Sequence, residues 1–165
     1  MTKFEACWLV LFNLFGNNPD SLSVGYQRKI INNIMPKLQV CKSVHTHATK
    51  QGVDPLLAIS VAYHETRFQN IQSNKGAQGP MGVIPKYHCP KKSKSKCNYT
   101  KAGVHALQKY LELNNHELCL ALAQYNRGHY GKCKKGRSEY YYAKKVLKTY
   151  KQLLNHNYCA NEFDC

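Results

Sequence analysis

The chain has 165 residues, which is enough for one domain with a buried core and excludes an array of several domains. Lys and Arg number 24 against 9 Asp and Glu, so the formal net charge is +15. A surface this basic favours a polyanionic partner, but charge alone does not distinguish nucleic acid from the anionic polymers of a bacterial cell wall.

The N-terminal segment is almost wholly apolar from Cys7 to Phe15. It is shorter than the ~20 apolar residues that span a bilayer, so we expect no stable membrane span. No clear small-x-small cleavage site follows, and we therefore prefer a helix that docks on the core to a poor signal peptide. We assign residues 1–20 to this segment and residues 21–165 to the main domain. The docking face is predicted to present large side chains at helical spacing: Phe4, Trp8, Leu11, Phe12 and Phe15.

The middle of the chain is predicted to contain two helices and a long loop. Apolar residues recur at helical spacing over residues 30–48, where Pro36 is expected to kink or split the helix. Asp54-Pro55 is typical of a helix start, because Asp accepts backbone hydrogen bonds at the N-cap and Pro suits the first turn. Residues 69–100 are rich in Gly, Pro, Lys and Ser and are predicted to form a loop or a short β-hairpin.

Three further helical patterns follow, over residues 101–113, 117–125 and 139–154. The tail of residues 155–165 is predicted to be irregular. The chain contains no internal repeat and no composition change that would indicate a second domain. The sequence therefore predicts a single, mainly α domain.

The even number of cysteines is compatible with disulfides formed in an oxidising compartment. The eight are Cys7, Cys41, Cys89, Cys97, Cys119, Cys133, Cys159 and Cys165. Cys89 with Cys97, and Cys159 with Cys165, are close enough in sequence to close small loops. The remaining connectivity is open, and reduced thiols are an alternative. Structural zinc sites use paired Cys-x-x-Cys spacing, which is absent here, so we expect no metal and no other cofactor.

Four short motifs follow one another along the chain. They place an acid at the end of an apolar helix, then a Gly-rich turn, a Tyr-Asn pair and finally a late Tyr. The motifs read Gly52-Val53-Asp54-Pro55 with Glu65-Thr66-Arg67-Phe68, then Ser73-Asn74-Lys75-Gly76-Ala77-Gln78-Gly79-Pro80-Met81-Gly82-Val83, Ala123-Gln124-Tyr125-Asn126-Arg127-Gly128 and Tyr142-Ala143-Lys144-Lys145-Val146. In this order they resemble the lysozyme-like soluble lytic transglycosylases, which cut the glycan strands of peptidoglycan. The resemblance covers about residues 52–150.

Glu65 is the candidate catalytic residue. Glycoside cleavage requires a proton on the leaving oxygen, and a carboxylic acid supplies it near neutral pH only if apolar surroundings raise its pKa. Glu65 ends an apolar helix beside Tyr63 and Phe68, where partial burial is expected. An ordinary surface Glu is the alternative for an isolated residue, but the surrounding motifs favour catalysis. The resemblance implies that Glu65 is the sole catalytic acid and base.

The resemblance also implies a lysozyme-like fold and a set of substrate-binding residues: Ser73, Gly79, Met81, Tyr125, Asn126 and Tyr142. Gly76 and Gly79 would allow a tight turn that approaches a sugar ring. Met81 would form the base of the pocket or fill the core. The hydroxyls of Tyr125 and Tyr142 would orient Glu65 or the substrate. The amide of Asn126 suits an N-acetyl group, with stabilisation of a turn as an equal alternative.

The chain departs from the family pattern at several positions. Thr66 stands where the family has Ser, while Pro80 and Gly82 stand where it has Leu and Gln. The missing Gln side chain puts one sugar contact in doubt. In the last motif, Ala143 replaces Val.

A two-carboxylate glycosidase would need a second acid opposite Glu65, and candidates are scarce. Asp54 is expected to cap a helix, and Glu112 and Glu117 flank a predicted turn. Glu139 is expected to be a solvated residue at the start of the last helix rather than a supporting carboxylate. The resemblance therefore implies a single-acid mechanism that cleaves the MurNAc–GlcNAc β-1,4 bond and leaves 1,6-anhydro-MurNAc ends.

Hydrolysis in the manner of goose-type lysozyme is the closest alternative, followed by a non-catalytic module that binds cell wall or polyanion. His64-Glu65 does not continue into a His-Glu-x-x-His zinc site, because position 68 is Phe. No nucleic-acid-binding motif accompanies the charge, so nucleic acid is not an expected partner. We expect a monomer that acts on peptidoglycan strands in the periplasm, outside the cell or from a virion, in secretion, conjugation or bacteriophage infection.

Overall fold

A computed structural model describes residues 7–8, 10–11, 24–89 and 97–161, without side chains for residues 24–31 and 156–161. These residues are mainly helical, which confirms the predicted mainly α class, whereas the lysozyme-like arrangement stays a prediction. The helices are α1 (Val24–Lys50), α2 (Pro55–Thr66), α3 (Pro85–His88), α4 (Tyr99–Leu113), α5 (Leu118–Arg127) and α6 (Ser138–Asn161), with a 3-10 turn at Gly128–Tyr130.

The first long helix, α1, runs through Pro36 without interruption, so the predicted split is wrong. Pro36 is exposed, and the loss of a backbone hydrogen bond there leaves the buried face intact. That face consists of five apolar residues at helical spacing: Ile34, Leu38, Cys41, Val44 and Ala48. Their burial on both sides of Pro36 holds the helix in one piece.

The short helix α2 forms the centre of the core. Every residue from Leu56 to Tyr63 is buried, and the helix packs against α1 on one side and α6 on the other. A helix that is apolar all round is stable only in such a position. α4 and α5 complete the core, since α5 packs against both α4 and α6.

The start of α2 is fixed by Asp54, as the sequence predicts. Its Oδ1 atom accepts hydrogen bonds from the backbone N–H groups of Leu56 at 2.8 Å and Leu57 at 3.4 Å. Its Oδ2 atom accepts a third, at 2.6 Å, from the hydroxyl of Tyr150 on α6. Asp54 therefore caps one helix and joins it to another.

The segment predicted as loop or hairpin is largely irregular. Isolated antiparallel bridges join Gln72 to Gln78 and Gln78 to Val83, and nothing longer than a bridge forms in residues 69–89. Residues 90–96 lie outside the described ranges, and α4 begins at Tyr99. The predicted hairpin is thus reduced to a folded turn between α2 and α3.

The last helix is longer than its sequence pattern indicated. α6 continues to Asn161, so the prediction of an irregular tail is wrong for residues 155–161, while residues 162–165 lie outside the described ranges. Leu153 is buried and Leu154 partly buried against the core, which extends the apolar side of the helix by a turn. The predicted inward positions Val146, Leu147 and Tyr150 lie on this side.

Three disulfides join the described cysteines: Cys7–Cys41, Cys89–Cys97 and Cys119–Cys133. Cys89 and Cys97, which are close enough in sequence to close a small loop, are paired, and the side chains of Cys159 and Cys165 lie outside the description. Three disulfides are compatible with an extracellular or periplasmic protein.

The N-terminal segment contributes to the core where it is described. Cys7, Val10 and Leu11 are helical and buried, whereas Trp8 is 38% exposed. The buried side thus includes Leu11 of the predicted docking face but not Trp8; the other three residues of that face lie outside the description. The assignment of residues 1–20 to a separate segment remains a prediction. Within the described helices, none combines the length and apolarity needed to cross a bilayer.

We expect Asp54→Ala to lower the free energy of unfolding by about 1–2 kcal/mol, because it removes the N-cap of α2 and the bond to α6. Tyr150→Phe removes only the bond between the helices and should destabilise less. Urea denaturation of both variants tests this order. Equal losses would mean that the cap itself contributes nothing.

Candidate active site

Glu65 lies one residue before the end of α2, where a sharp backbone bend stops the helix. Arg67 has a φ of 56° and Phe68 a φ of 60°, and the N–H of Arg67 donates to the carbonyl of Tyr63 at 3.0 Å. A left-handed backbone is strained for a residue as large as Phe. The Phe68 side chain is 1% exposed, so its burial holds the bend in place. The bend fixes the direction of the last turn of α2.

Thr66 ties the next loop to this helix end. Its buried hydroxyl donates to the carbonyl of Pro80 at 2.7 Å and accepts from the N–H of Gln69 at 3.1 Å. The turn of residues 79–82 is therefore held against the last turn of α2. Both bonds need only a hydroxyl at position 66, which Thr66 supplies as well as the Ser of the family pattern would.

Gly82 brings the backbone of that turn directly beside Glu65. Its φ is +61°, and a Cβ atom built on it would lie 2.7 Å from Oε2 of Glu65. Any side chain at this position would displace the carboxyl group and would also adopt a strained backbone. Gly82, which differs from the family pattern in sequence, is thus required by the local packing of Glu65.

Two tyrosines from the C-terminal half close the site around Glu65. Tyr125, on α5, donates its hydroxyl to the carbonyl of Met81 at 2.8 Å, which anchors the same turn a second time. The hydroxyl oxygen of Tyr142, on α6, is buried and has no hydrogen-bond partner of standard geometry within the described part of the chain. It is nevertheless close enough to Glu65 to affect the ionisation of that carboxyl group.

The ionisation of all three groups is shifted by burial. Loss of water raises the pKa of Glu65, and the hydroxyl of Tyr142 opposes this shift because it favours the carboxylate. Burial, and then the negative charge of Glu65, raise the pKa of both Tyr125 and Tyr142 well above the usual range. The site therefore holds a carboxyl group that retains its proton to a higher pH than usual, between two neutral phenols.

The other predicted site residues lie in different surroundings. Ser73 accepts a hydrogen bond from the N–H of Ala77 at 3.0 Å, so its side chain stabilises its own turn. A Cβ on Gly79 would overlap the side chain of Tyr99, so this glycine serves contact with α4. The Met81 side chain is buried in the core. Asn126 is exposed, and its side chain makes no hydrogen bond that would stabilise a turn within the described ranges.

Glu139 is buried, with 2% exposure, so the prediction of a solvated residue at the start of the helix is wrong. Its carboxylate accepts from Nε of Arg137 and from the hydroxyl of Ser138, both at 3.2 Å, and from the N–H of Lys132 at 3.4 Å. Its own backbone N–H and these donors lower its pKa to about 2. Glu139 is a fixed anion that closes the loop of residues 131–137 rather than a proton donor.

Sequence reasoning missed the contacts that place Glu65. Thr66 and Gly82 stood in the recognised motifs, but only as substitutions of the family pattern. A further contact joins Nε2 of His64 to the hydroxyl of Thr149 at 2.8 Å, across 85 positions of sequence. No local pattern indicates such a pair. It docks the end of α2 on α6, about two turns along the helix from Tyr142.

The chain matches no protein-family model, and no curated protein or solved structure is significantly similar to it. A separate cavity of about 170 Å³ lies beside Asp54, Leu111 and Tyr150. None of the predicted site residues lines it, so the convergence around Glu65 is the site that we consider below.

Gly82→Ala should move the Glu65 carboxyl group out of its buried position and return its pKa toward the ordinary value of glutamic acid. Gly76→Ala is the matched control, because Gly76 also has a positive φ but a Cβ there meets nothing within 4 Å. Both variants should lose about 1–2 kcal/mol of stability from backbone strain. Carboxyl ¹³C NMR titration measures the pKa. The same Glu65 pKa in both variants would contradict the proposed contact.

Tyr142→Phe should raise the pKa of Glu65 further, since it removes the hydroxyl that favours the carboxylate. Tyr150→Phe is the control, because it removes a hydroxyl of the same helix that binds Asp54 instead. The folded-state pKa lies above the unfolded one, so the free energy of unfolding should fall as pH rises between these two values. This fall in the free energy of unfolding should be absent from Glu65→Gln. It should span a wider pH range in Tyr142→Phe, because the folded-state pKa of Glu65 is higher there. NMR and urea denaturation at several pH values test both statements, and an unchanged Glu65 pKa in Tyr142→Phe would refute the first.

Proposed function

We propose that the protein is a peptidoglycan lytic transglycosylase with Glu65 as its single acid and base. This proposal rests on the carboxyl group of Glu65. Burial raises its pKa, and the group packs against the backbone of Gly82 and lies close to the Tyr142 hydroxyl. These residues come from three of the four motifs that resemble the lytic transglycosylases. The conclusion is supported by this convergence together with the resemblance.

The other described carboxylates support a mechanism with one acid. Asp54 and Glu117 cap helices through backbone N–H groups, and Glu112 accepts from Gln108 at 2.9 Å on an exposed surface. Glu139 is enclosed by its own loop. None of these four is among the groups that shift the pKa of Glu65. A direct two-carboxylate displacement would need one of them across the bond.

In the proposed reaction, Glu65 first donates its proton to the glycosidic oxygen between MurNAc and GlcNAc. The C1–O bond breaks as the acetamido oxygen of MurNAc attacks C1. The Glu65 carboxylate then takes the proton of the MurNAc 6-hydroxyl, whose oxygen bonds to C1 and releases the acetamido group. The product is a 1,6-anhydro ring, and Glu65 ends protonated as it began.

The Tyr142 hydroxyl has a specific role in this scheme. It favours the carboxylate over the acid, and the carboxylate exists only after proton transfer. A buried hydroxyl that forms a hydrogen bond to the carboxylate at that stage stabilises the developing charge more than it stabilises the ground state. We infer that Tyr142 assists the first step. The proposed place of action is the periplasm, the outside of the cell or a virion.

Mass spectrometry of muropeptides after incubation with purified peptidoglycan tests the proposal. We expect 1,6-anhydro-MurNAc ends from the unaltered protein and a loss of at least ~100-fold in Glu65→Gln. Glu112→Gln is the matched control, since Glu112 is exposed and lies outside the site. Reducing ends would instead indicate hydrolysis like that of goose-type lysozyme. The absence of products from the unaltered protein would favour a non-catalytic wall-binding module.

A further inference from the structure

Positive charge is concentrated in the part of the chain that completes the site. Residues 127–151 contain nine Lys and Arg residues, and all nine are exposed: Arg127, Lys132, Lys134, Lys135, Arg137, Lys144, Lys145, Lys148 and Lys151. Glu139 is the only acid in this stretch, and it is buried. Its contact with Arg137 is the only ion pair found among the described residues. The rest of this charge is available to a partner.

The register of α6 places one of these cations at the edge of the candidate site. Tyr142, Lys145 and Thr149 are separated by three and four residues, so they share one side of the helix. Tyr142 approaches Glu65, and Thr149 bonds to His64 at 2.8 Å. Lys145 lies between these two contacts along the helix and is exposed.

Arg67 brings a second cation to the same place from α2. It is exposed and follows Glu65 by two residues, and its guanidinium carbon lies 4.0 Å from the centre of the Tyr63 ring. Stacking on the ring limits the freedom of this side chain. The charges of Arg67 and Lys145 both act on His64, after burial, to lower its pKa to about 4. His64 is therefore neutral near pH 7, and the two cations flank it.

We propose that Arg67 and Lys145, continued by Lys144, Lys148 and Lys151 along α6, form a binding surface for the carboxylate groups of peptides attached to the glycan strand. This inference rests on the proposed function and names the form of substrate it favours: strands that carry their peptides rather than bare glycan. Neutral sugar rings offer an ammonium group only uncharged hydrogen-bond acceptors, whereas the peptide stems present free carboxylates at intervals beside the sugars, and charged hydrogen bonds are the stronger ones. Arg67 can bind such a group through two parallel hydrogen bonds.

Position favours this partner over nucleic acid. The cations nearest the candidate site act on His64, the chain neighbour of Glu65, so a strand held by Glu65 would place its substituents near them. Each contact is exposed and therefore weak alone, but several act together along one strand. We expect the whole effect to be on the order of 10-fold in affinity.

The experiment measures binding with substrate cleavage switched off. In a Glu65→Gln background, fluorescence anisotropy follows binding of two labelled glycan oligosaccharides of equal length, one with its peptides and a bare one in which a neutral methylamide on each lactyl group replaces the peptide. Arg67→Asn/Lys145→Gln removes both charges, and Asn tolerates the left-handed backbone at position 67. Lys50→Gln/Lys109→Gln is the matched control, because these exposed lysines influence His47 and His88 instead. Arg67→Lys in place of Arg67→Asn should restore part of the lost affinity, since Lys retains the positive charge but lacks the planar guanidinium group that makes two parallel hydrogen bonds.

We expect Arg67→Asn/Lys145→Gln to weaken binding of the peptide-bearing oligosaccharide ~10-fold, with little change for the bare one and none in the control. Added salt should reduce the same difference. Equal binding of both oligosaccharides before substitution, or equal loss for both after it, would overturn the inference. Duplex DNA is a further probe: if only DNA binding falls in the double variant, the surface binds phosphate and the inference is wrong.

Failure of the proposed function would be distinguishable from failure of this inference. The protein with Glu65 intact is assayed in parallel for cleavage of both oligosaccharides. Cleavage of both at equal rates, with no effect of Arg67 or Lys145, would leave the function standing and reject the peptide-binding surface. No cleavage of either would reject the function, while the anisotropy result would still decide whether carboxylates bind here.

Far-UV circular dichroism and urea denaturation establish that each variant is folded, and Lys145→Gln alone provides a test that leaves the bend at Arg67 untouched.

Discussion

Loss of water raises the pKa of the Glu65 carboxyl group, because too few hydrogen-bond donors replace that water. The backbone at Gly82 lies directly against this carboxyl group. The turn that contains Gly82 is held twice, by the hydroxyl of Thr66 on Pro80 and by the hydroxyl of Tyr125 on Met81. Both bonds end on backbone carbonyls, so they fix the position of the turn whatever its side chains. The closeness of the backbone to Glu65 follows from these two attachments.

These two bonds hold the turn beside Glu65 only if α2 itself does not move. The burial of α2 keeps the helix in place. Residues 56–63 are enclosed by α1 and α6, Asp54 fixes the first turn, and the pair His64–Thr149 fixes the last. The strained backbone at Arg67 and Phe68 is tolerated because the Phe68 side chain is buried. Strain of this kind persists only where the surrounding packing determines the conformation, and such places are often functional.

Glu65 and Glu139 show that the surroundings of a carboxyl group can shift its pKa in either direction. Glu139 is as deeply buried as any core residue, yet hydrogen bonds from its own backbone, Arg137, Lys132 and Ser138 lower its pKa to about 2. Around Glu65 the loss of water outweighs the one hydroxyl that opposes it, so its pKa rises. Donor number, rather than burial alone, decides whether a buried carboxyl group is a fixed anion or a source of protons.

The sequence by itself determined the helical class, the start of α2 at Asp54, most of the helix positions and the order of the motifs around Glu65. These features depend on residues that are neighbours in the chain, so spacing and capping chemistry suffice to predict them. It misjudged the continuity of α1 through Pro36, because the burial of apolar residues between 34 and 48 outweighs the local signal, and it ended α6 at residue 154 rather than 161. Only the tertiary structure decided that Glu139 is buried, that Gly82 abuts Glu65, and that Thr66, Tyr125 and Thr149 hold the site together. Those contacts join residues 14 to 85 positions apart, and side chains that distant are brought together by the packing of whole helices, which no local pattern encodes.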